Sequence, residues 1–311
     1  VYAQWAFKYE KLTGAKINYQ SIGSGGGIAQ IKAKTVDFGA SDAPLQPKDR
    51  AANTNLANGT VLHIPETIGA VTFAYNVPGV ATGIHITGAV LVQIFVGHIK
   101  SWNDANLTAL NPGVSLPAQA ITVVHRSDSS GTSFVWTSFL HLSNGTAWNK
   151  SLVGKSINWP TGVAKPGNSG VAGYIASTPY ACGYVELAYA IQNSMSVAAI
   201  KNHDGNFVSP TLASTSAAAG NATLPNSGLA DWSSVSILNA NGTNSYPIAT
   251  FTYLLVYKEL STLGPSFTQA HMQALVDFLW WVVHAGQTYS ASLAYVPLPA
   301  SVVTLDEASI N

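Results

Sequence analysis

Apolar positions along the chain switch repeatedly between helical and strand periods. Tyr2 to Thr13 reads as an amphipathic helix stopped by Gly14. Lys16 to Gln20 reads as a strand, Ile22 to Ile28 as a glycine-rich turn, Ala29 to Thr35 as a helix and Val36 to Ala40 as a short apolar strand. Val61 to Pro65 and Ala70 to Tyr75 are rich in β-branched and aromatic residues and read as two buried strands. Asn76 to Gly79 is a turn, and Gly88 to Val96 and Asp104 to Leu110 look helical. Ile121 to His125 reads as a strand feeding a helix from Gly131 to Leu142. Gly167 to Gly170 reads as a capping turn before a helical run to Ala176. Ser209 to Ser245, full of Ser, Ala, Asn and Gly, reads as loop-heavy. Ile248 to Tyr257 is a strand, and Thr268 to Ala285 a long apolar helix whose Trp280 and Trp281 are expected in the core. No fixed-period repeat is visible.

Strands alternating with helices predict an α/β fold with mainly parallel sheets and ligands at the carboxyl ends of strands. The turn at Asn76 and the strand at Ile248 are the natural crossings. The expected organisation is therefore a discontinuous first domain, 1–76 plus 248–311, and a second domain, 77–247.

The chemistry concentrates at strand-to-helix junctions. Residues 126–134, Arg-Ser-Asp-Ser-Ser-Gly-Thr-Ser-Phe, put a cation, hydroxyls and a glycine at the mouth of a helix. Free N–H groups and partial positive charge make such a mouth receptive to anions, and a guanidinium fork suits a tetrahedral oxyanion. A plain helix cap with Arg126 on the surface fits the same stretch equally well. Residues 22–28 repeat the arrangement with Ser24, but without the Lys-Ser/Thr of a P-loop or a dinucleotide fingerprint. In Val36 to Leu45 a short strand ends in Ser41 and Asp42, where an acid is also a common turn residue.

Composition narrows the setting. Charged residues make up 9% of the 311, far below the ~25% of an average soluble domain. Basic and acidic residues balance at 14 each, and no basic patch points to nucleic acid. A surface built from Asn, Ser, Thr, Gly and Gln changes its charge little with pH, which fits an exported protein facing acid or variable conditions, or a lineage of unusual composition. The single cysteine, Cys182, is expected to be buried. No Cys/His cluster has metal-ligand spacing, and no metal or cofactor is expected. No apolar run is long enough for a membrane span. Asn-x-Ser/Thr sequons at Asn58, Asn106, Asn144, Asn149, Asn221 and Asn241 are expected at loops or helix ends.

Taken together, Thr35 to Leu45, Asn111-Pro112-Gly113, Ser130 to Phe134, Trp159-Pro160, Gly183 to Glu186 and the Trp-rich helix near 278–285 resemble the periplasmic phosphate-binding proteins that feed ABC phosphate importers. The resemblance runs over nearly the whole chain. It implies a two-lobed α/β fold with mixed, mainly parallel sheets and phosphate in the interdomain cleft. It further implies that Ser24 donates to the anion, that Asp42 accepts a ligand proton and that Arg126 is the contacting cation. Asp128 would hold and partly neutralise Arg126, and Ser130, Gly131 and Thr132 would be donors at the helix mouth. The family has a Gly-Ala-Thr-Phe-Pro-type segment before its first helix, whereas this sequence opens at Val1 within that helix. The implied function is high-affinity phosphate binding outside the cytoplasmic membrane and delivery to a membrane permease. The implied protein is a monomer, periplasmic or at the cell surface, and not an enzyme. Two alternatives stay open: a phosphate-ester hydrolase with Ser130 as nucleophile and His125 as base, and the same fold holding another protonated oxyanion such as arsenate.

Overall fold

The computed structural model describes residues 1–51, 54–57, 59–220 and 222–311; the sequons at Asn58 and Asn221 lie outside them. The chain divides into two compact units. Unit 1 comprises Val1–Ile68, Ala222–Ser236 and Phe251–Asn311, and unit 2 comprises Gly69–Asn221 and Ile237–Thr250.

Unit 1 begins with α1 (Tyr2–Thr13), which Gly14 ends in a left-handed conformation, φ 79°. Trp5 and Tyr9 of this helix pack into an aromatic cluster with Phe278 and Val282. Residues 15–22 form no strand, because Ile17 packs on that cluster and Tyr19 stacks on Tyr2 instead of pairing along an edge. The glycine-rich stretch is not a turn either. It forms the body of α2 (Gly23–Ala33), which packs on β1 (Gly39–Ser41). Helix propensity argues against four glycines there, but close packing argues for them. A Cβ on Gly27 would stand 2.6 Å from the Ala40 carbonyl oxygen, and one on Gly39 2.7 Å from that of Gly27. After α3 (Pro47–Arg50) comes β2 (Val61–Tyr75), one uninterrupted strand where two were expected. Pro65 points to the same side as His63, whose N–H meets the Gly228 carbonyl, so its missing N–H breaks no ladder.

Unit 2 takes the second part of β2 and adds β3 (His85–Ile86), α4 (Gly88–Phe95), α5 (Ala105–Leu110), β4 (Thr122–Arg126), α6 (Gly131–Ser143), β5 (Val163–Lys165), α7 (Gly167–Ser177), β6 (Ala181–Glu186) and α8 (Leu187–Gln192). Then follow β7 (Ser196–Val197), β8 (Ala199–Lys201), β9 (Phe207–Val208) and α9 (Leu212–Ala219). β4 lies parallel between β6 and β5. The sheets are mixed rather than mainly parallel: β2 runs antiparallel to β6 because it is entered from the opposite end to the parallel trio, and in a separate sheet β8 is parallel to β3 and antiparallel to β9. Cys182 is fully buried in β6.

The chain re-enters unit 1 along β10 (Ala249–Tyr257), antiparallel to β1, and finishes with α10 (Gln269–Val283) and α11 (Ala300–Ile310). Trp281 packs toward the α1 cluster, but Trp280 is 39% exposed and its ring lies tilted against that of His284, so it is not core. The units change over at 68/69 and 250/251, not at 76/77 and 247/248. The sequence turn at Asn76 comes at the end of β2, whereas the change in packing partners falls within the strand. Residues 222–236 belong to unit 1 because Trp232 packs between His63 and Tyr253. Asn106, Asn144, Asn149 and Asn241 lie at helix ends or in loops.

Candidate functional site

In unit 1, the second residue of α2 and the residue after β1 meet. The Asp42 N–H donates to Ser24 Oγ at 3.2 Å, which leaves the Ser24 hydroxyl its own hydrogen to give. Thr252, on β10, donates to Asp42 Oδ1 at 3.3 Å. Ser24 is buried and Asp42 half-buried. The carboxylate is thus fixed beside the N-terminus of α2 by partners distant in sequence. Thr252 belongs to no motif and was not found by reading the sequence.

In unit 2 the chemistry gathers where the parallel strands β4, β5 and β6 end. The guanidinium of Arg126, last residue of β4, is buried, and Asp128 grips it in a two-pronged pair, Nε to Oδ1 at 2.8 Å and Nη2 to Oδ2. Burial works against the charge on Arg126, but Asp128 outweighs it and holds the pKa above the ordinary guanidinium value. Burial likewise opposes the Asp128 charge, yet Arg126 and the Gly167 N–H (2.9 Å) carry its pKa below the usual carboxylate range. The Arg126 N–H donates to the Tyr184 hydroxyl, which also meets Ser133 Oγ. Ser130 caps α6, its Oγ accepting from the Ser133 N–H at 3.1 Å while its own N–H goes to the Lys155 carbonyl. Gly131 and Thr132 follow as the buried first residues of α6.

Behind Thr132 stand two groups that the sequence reading did not select. Thr132 Oγ1 donates to Glu186 Oε1 at 3.2 Å, and Asn168 Nδ2 donates to the same Oε1 at 2.8 Å and to Thr132 Oγ1 at 3.3 Å. Gly167 to Gly170 is not a turn preceding a helix but the first turn of α7 itself. The signal that could have found Glu186 is its place at the end of a strand parallel to β4.

The expected residues therefore fall into two groups. Ser24 and Asp42 are together in unit 1; Arg126, Asp128, Ser130, Gly131 and Thr132 are together in unit 2. His125 turns away from this chemistry. It stacks on Trp159, its Nδ1 lies 3.1 Å from the Arg126 carbonyl, and burial lowers its pKa. Among the described residues, no group of His, Cys, Asp or Glu side chains is placed to hold a metal ion, and no helix is long and apolar enough to cross a membrane.

Residues 1–284 match the model of the PBP superfamily domain. The chain is 43% identical over 310 residues to the phosphate-binding protein PstS of Pasteurella multocida, covering 97% of this chain and 84% of that one. It is 41% identical over 306 residues to PstS of Haemophilus influenzae, covering 98% and 87%, and 36% identical over 322 residues to PstS of Methanocaldococcus jannaschii, covering 99% and 82%. Among solved structures it resembles a high affinity periplasmic phosphate-binding protein with bound phosphate, with TM-score 0.73, 22% identity and coverage of 96% and 88%. It also resembles a DING protein, with TM-score 0.76, 20% identity and coverage of 98% and 91%. At that identity the two structures establish the fold.

Proposed function

Because this chain belongs to the PBP superfamily, and within it to the PstS phosphate-binding proteins, we infer that it binds inorganic phosphate for import by an ABC transporter. The ligand residues we assign are Ser24 and Asp42 from unit 1 and Arg126, Ser130, Gly131 and Thr132 from unit 2, with Asp128 holding Arg126. The observation that supports this best is the buried Arg126–Asp128 pair at the mouth of α6. A bare buried guanidinium would attract any anion. A guanidinium already matched by a carboxylate leaves selection to hydroxyls, backbone N–H groups and Asp42. Asp42 meets the proton of a protonated phosphate with a lone pair, whereas fully ionised sulfate has no proton to offer it.

The partner in this reading is a membrane ABC phosphate permease, and the chain acts as an exported monomer that carries phosphate without chemical turnover. Calorimetric titration with phosphate and sulfate tests it: one phosphate per chain and no heat from sulfate are expected. Equal binding of both anions, or repeated release of phosphate from a chromogenic ester, would overturn it.

A further inference from the structure

The turn that carries Asp42 is tied to other elements of unit 1 on both sides of that residue. The Asp42 N–H goes to Ser24 Oγ on α2, and three residues later the Leu45 N–H donates to Nε2 of His63 on β2 at 3.1 Å. Between them the Ala43 N–H turns back to Ser41 Oγ, and Pro44 has no N–H to give. The Gln46 N–H passes to Asp49 Oδ2 in α3. Asp42 thus stands between one anchor in α2 and another in β2. Leu45 and His63 are both fully buried, where an N–H left without an acceptor is costly.

A backbone N–H can only donate, so Nε2 of His63 must present a lone pair, and in the neutral ring the hydrogen then sits on Nδ1. Turning the ring over would put a carbon in front of the Leu45 N–H. The ring is held between aromatic neighbours: it lies nearly parallel to Trp232, with centroids 6.1 Å and planes 18° apart, and Tyr253 meets it edge-on at 6.0 Å and 86°. The charged and titratable groups that face it are Arg50 on α3, Asp231 beside Trp232 and the Tyr253 phenol on β10, and Arg50 and Asp231 pair with each other at 3.0 Å. Burial and then the Arg50 charge keep the ring neutral, against the Gly228 carbonyl and Asp231, and a protonated ring would have no lone pair for Leu45. Packing alone between Trp232 and Tyr253 would be met by an apolar side chain. What the imidazole adds is an acceptor aimed at the turn.

Building on the phosphate-binding reading, we propose that His63 is a positioning residue: its Nε2 lone pair holds the turn after β1 so that the Asp42 carboxylate meets the ligand proton, and phosphate-over-sulfate selectivity depends on that hold. Fixed buried polar groups discriminate only as well as they are held in place.

The test titrates the whole chain and its variants with inorganic phosphate, and reads sulfate by its displacement of bound phosphate. In His63→Leu the phosphate-over-sulfate preference should fall at least about tenfold. His63→Gln, whose amide oxygen can take the place of Nε2, should keep the preference within about threefold of the wild type. Added to Asp42→Asn, His63→Leu should shift the preference less than about threefold further, because both changes act through one carboxylate. Nitrogen NMR of the folded wild type should show Nε2 of His63 unprotonated and Nδ1 protonated. An unchanged preference in His63→Leu, a His63→Gln chain that folds but loses the preference, full additivity with Asp42→Asn, or a hydrogen on Nε2 would each overturn the role of His63. Should His63→Leu fail to fold, His63→Gln and the ring nitrogens decide it. A wild type that binds phosphate selectively alongside any of these results leaves the functional reading standing, whereas a wild type that binds no phosphate overturns that reading as well.

Discussion

At Asp42 the proposed site places a carboxylate against an anion, in the role we assign it as acceptor of the ligand proton. Thr252 donates to Asp42 Oδ1, and the Asp42 backbone N–H is tied to Ser24 at the α2 N-terminus. Asp42→Asn can donate as well as accept. We expect this variant to lose less than about tenfold in phosphate affinity while phosphate-over-sulfate preference falls by roughly a hundredfold or more. Titration of the variant with both anions checks this, and unaltered selectivity would remove Asp42 from the role. Arg126→Ala deletes the cation and leaves Asp128 with backbone N–H donors, Gly167 among them, and no counter-charge from Arg126. Truncating a charged group that hydrogen-bonds its partner in a buried contact costs binding about 2–5 kcal/mol, so phosphate affinity should fall at least about thirtyfold. An unchanged dissociation constant would place Arg126 outside the site. These positions were legible in the sequence because each sits in a short run of hydroxyl, glycine and charged residues at the end of a strand. Thr252, Glu186 and Asn168 were not. Their contacts to Asp42 and Thr132 span 210, 54 and 36 residues, and no local pattern marks a partner that distant.

Among elements, the pairing of α2 with β1 decides where Ser24 lies relative to Asp42. Gly27 and Gly39 let the helix backbone approach the strand so closely that neither position has room for a methyl group. The lesson for reading sequence is specific. Gly23 to Gly27 looked like a turn because glycine is a poor helix former, a local property. The structure uses the same glycines for helix-to-strand contact, a property of two segments together. The strand expected at Lys16 to Gln20 failed for a related reason: its alternating pattern serves packing on aromatic side chains of α1 and α10. By contrast α1, α4, α6 and β10 lie within a few residues of their expected bounds, since caps and long apolar runs speak for themselves. Gly27→Ala should therefore lower stability by about 1–3 kcal/mol, because a methyl would push against the Ala40 carbonyl and force α2 outward. Phosphate binding should weaken with it as Ser24 moves from Asp42. Urea unfolding and titration of the same sample measure both effects. A variant that is as stable and binds as tightly as the wild type would show that the close contact does not position the site.

For the whole molecule, a sparse set of ionisable groups makes the few buried ones decisive for pH dependence. Glu66 in β2 and Asp306 in α11 are fully buried, and neither carboxyl has a hydrogen-bond partner. Burial pushes the Asp306 pKa up to about 9, and burial raises that of Glu66 well above its usual value, against the pull of the N-terminal ammonium and with a lesser push from Asp306. The unfolded chain releases both protons near pH 4, as ordinary carboxyls do, while the folded chain keeps that of Asp306 to about pH 9 and holds that of Glu66 well above the ordinary range. Unfolding then releases protons, so the stability from these acids is complete below about pH 4 and declines as pH rises toward 9. His63 acts in the opposite sense. Burial lowers its pKa to about 3, so the unfolded chain takes up a proton below about pH 6.5 that the folded chain refuses, and stability falls as pH drops through that interval. Asp128, held low by Arg126, adds a loss only below the ordinary carboxylate pKa. Between about pH 4 and 6.5 the His63 loss is opposed by the gain from two acids, so mild acidification should cost little, which suits the charge-poor surface. Above about pH 6.5 the acids act unopposed, and each contributes at most about 1.4 kcal/mol of lost stability per pH unit. Urea unfolding of the wild type from about pH 6.5 to 9 should therefore show a steady fall in midpoint, and Asp306→Asn, which cannot ionise, should remove roughly half of the slope. A midpoint that is level over this range, or an Asp306→Asn slope equal to the wild type, would mean that these carboxyls reach water or a partner in the folded protein.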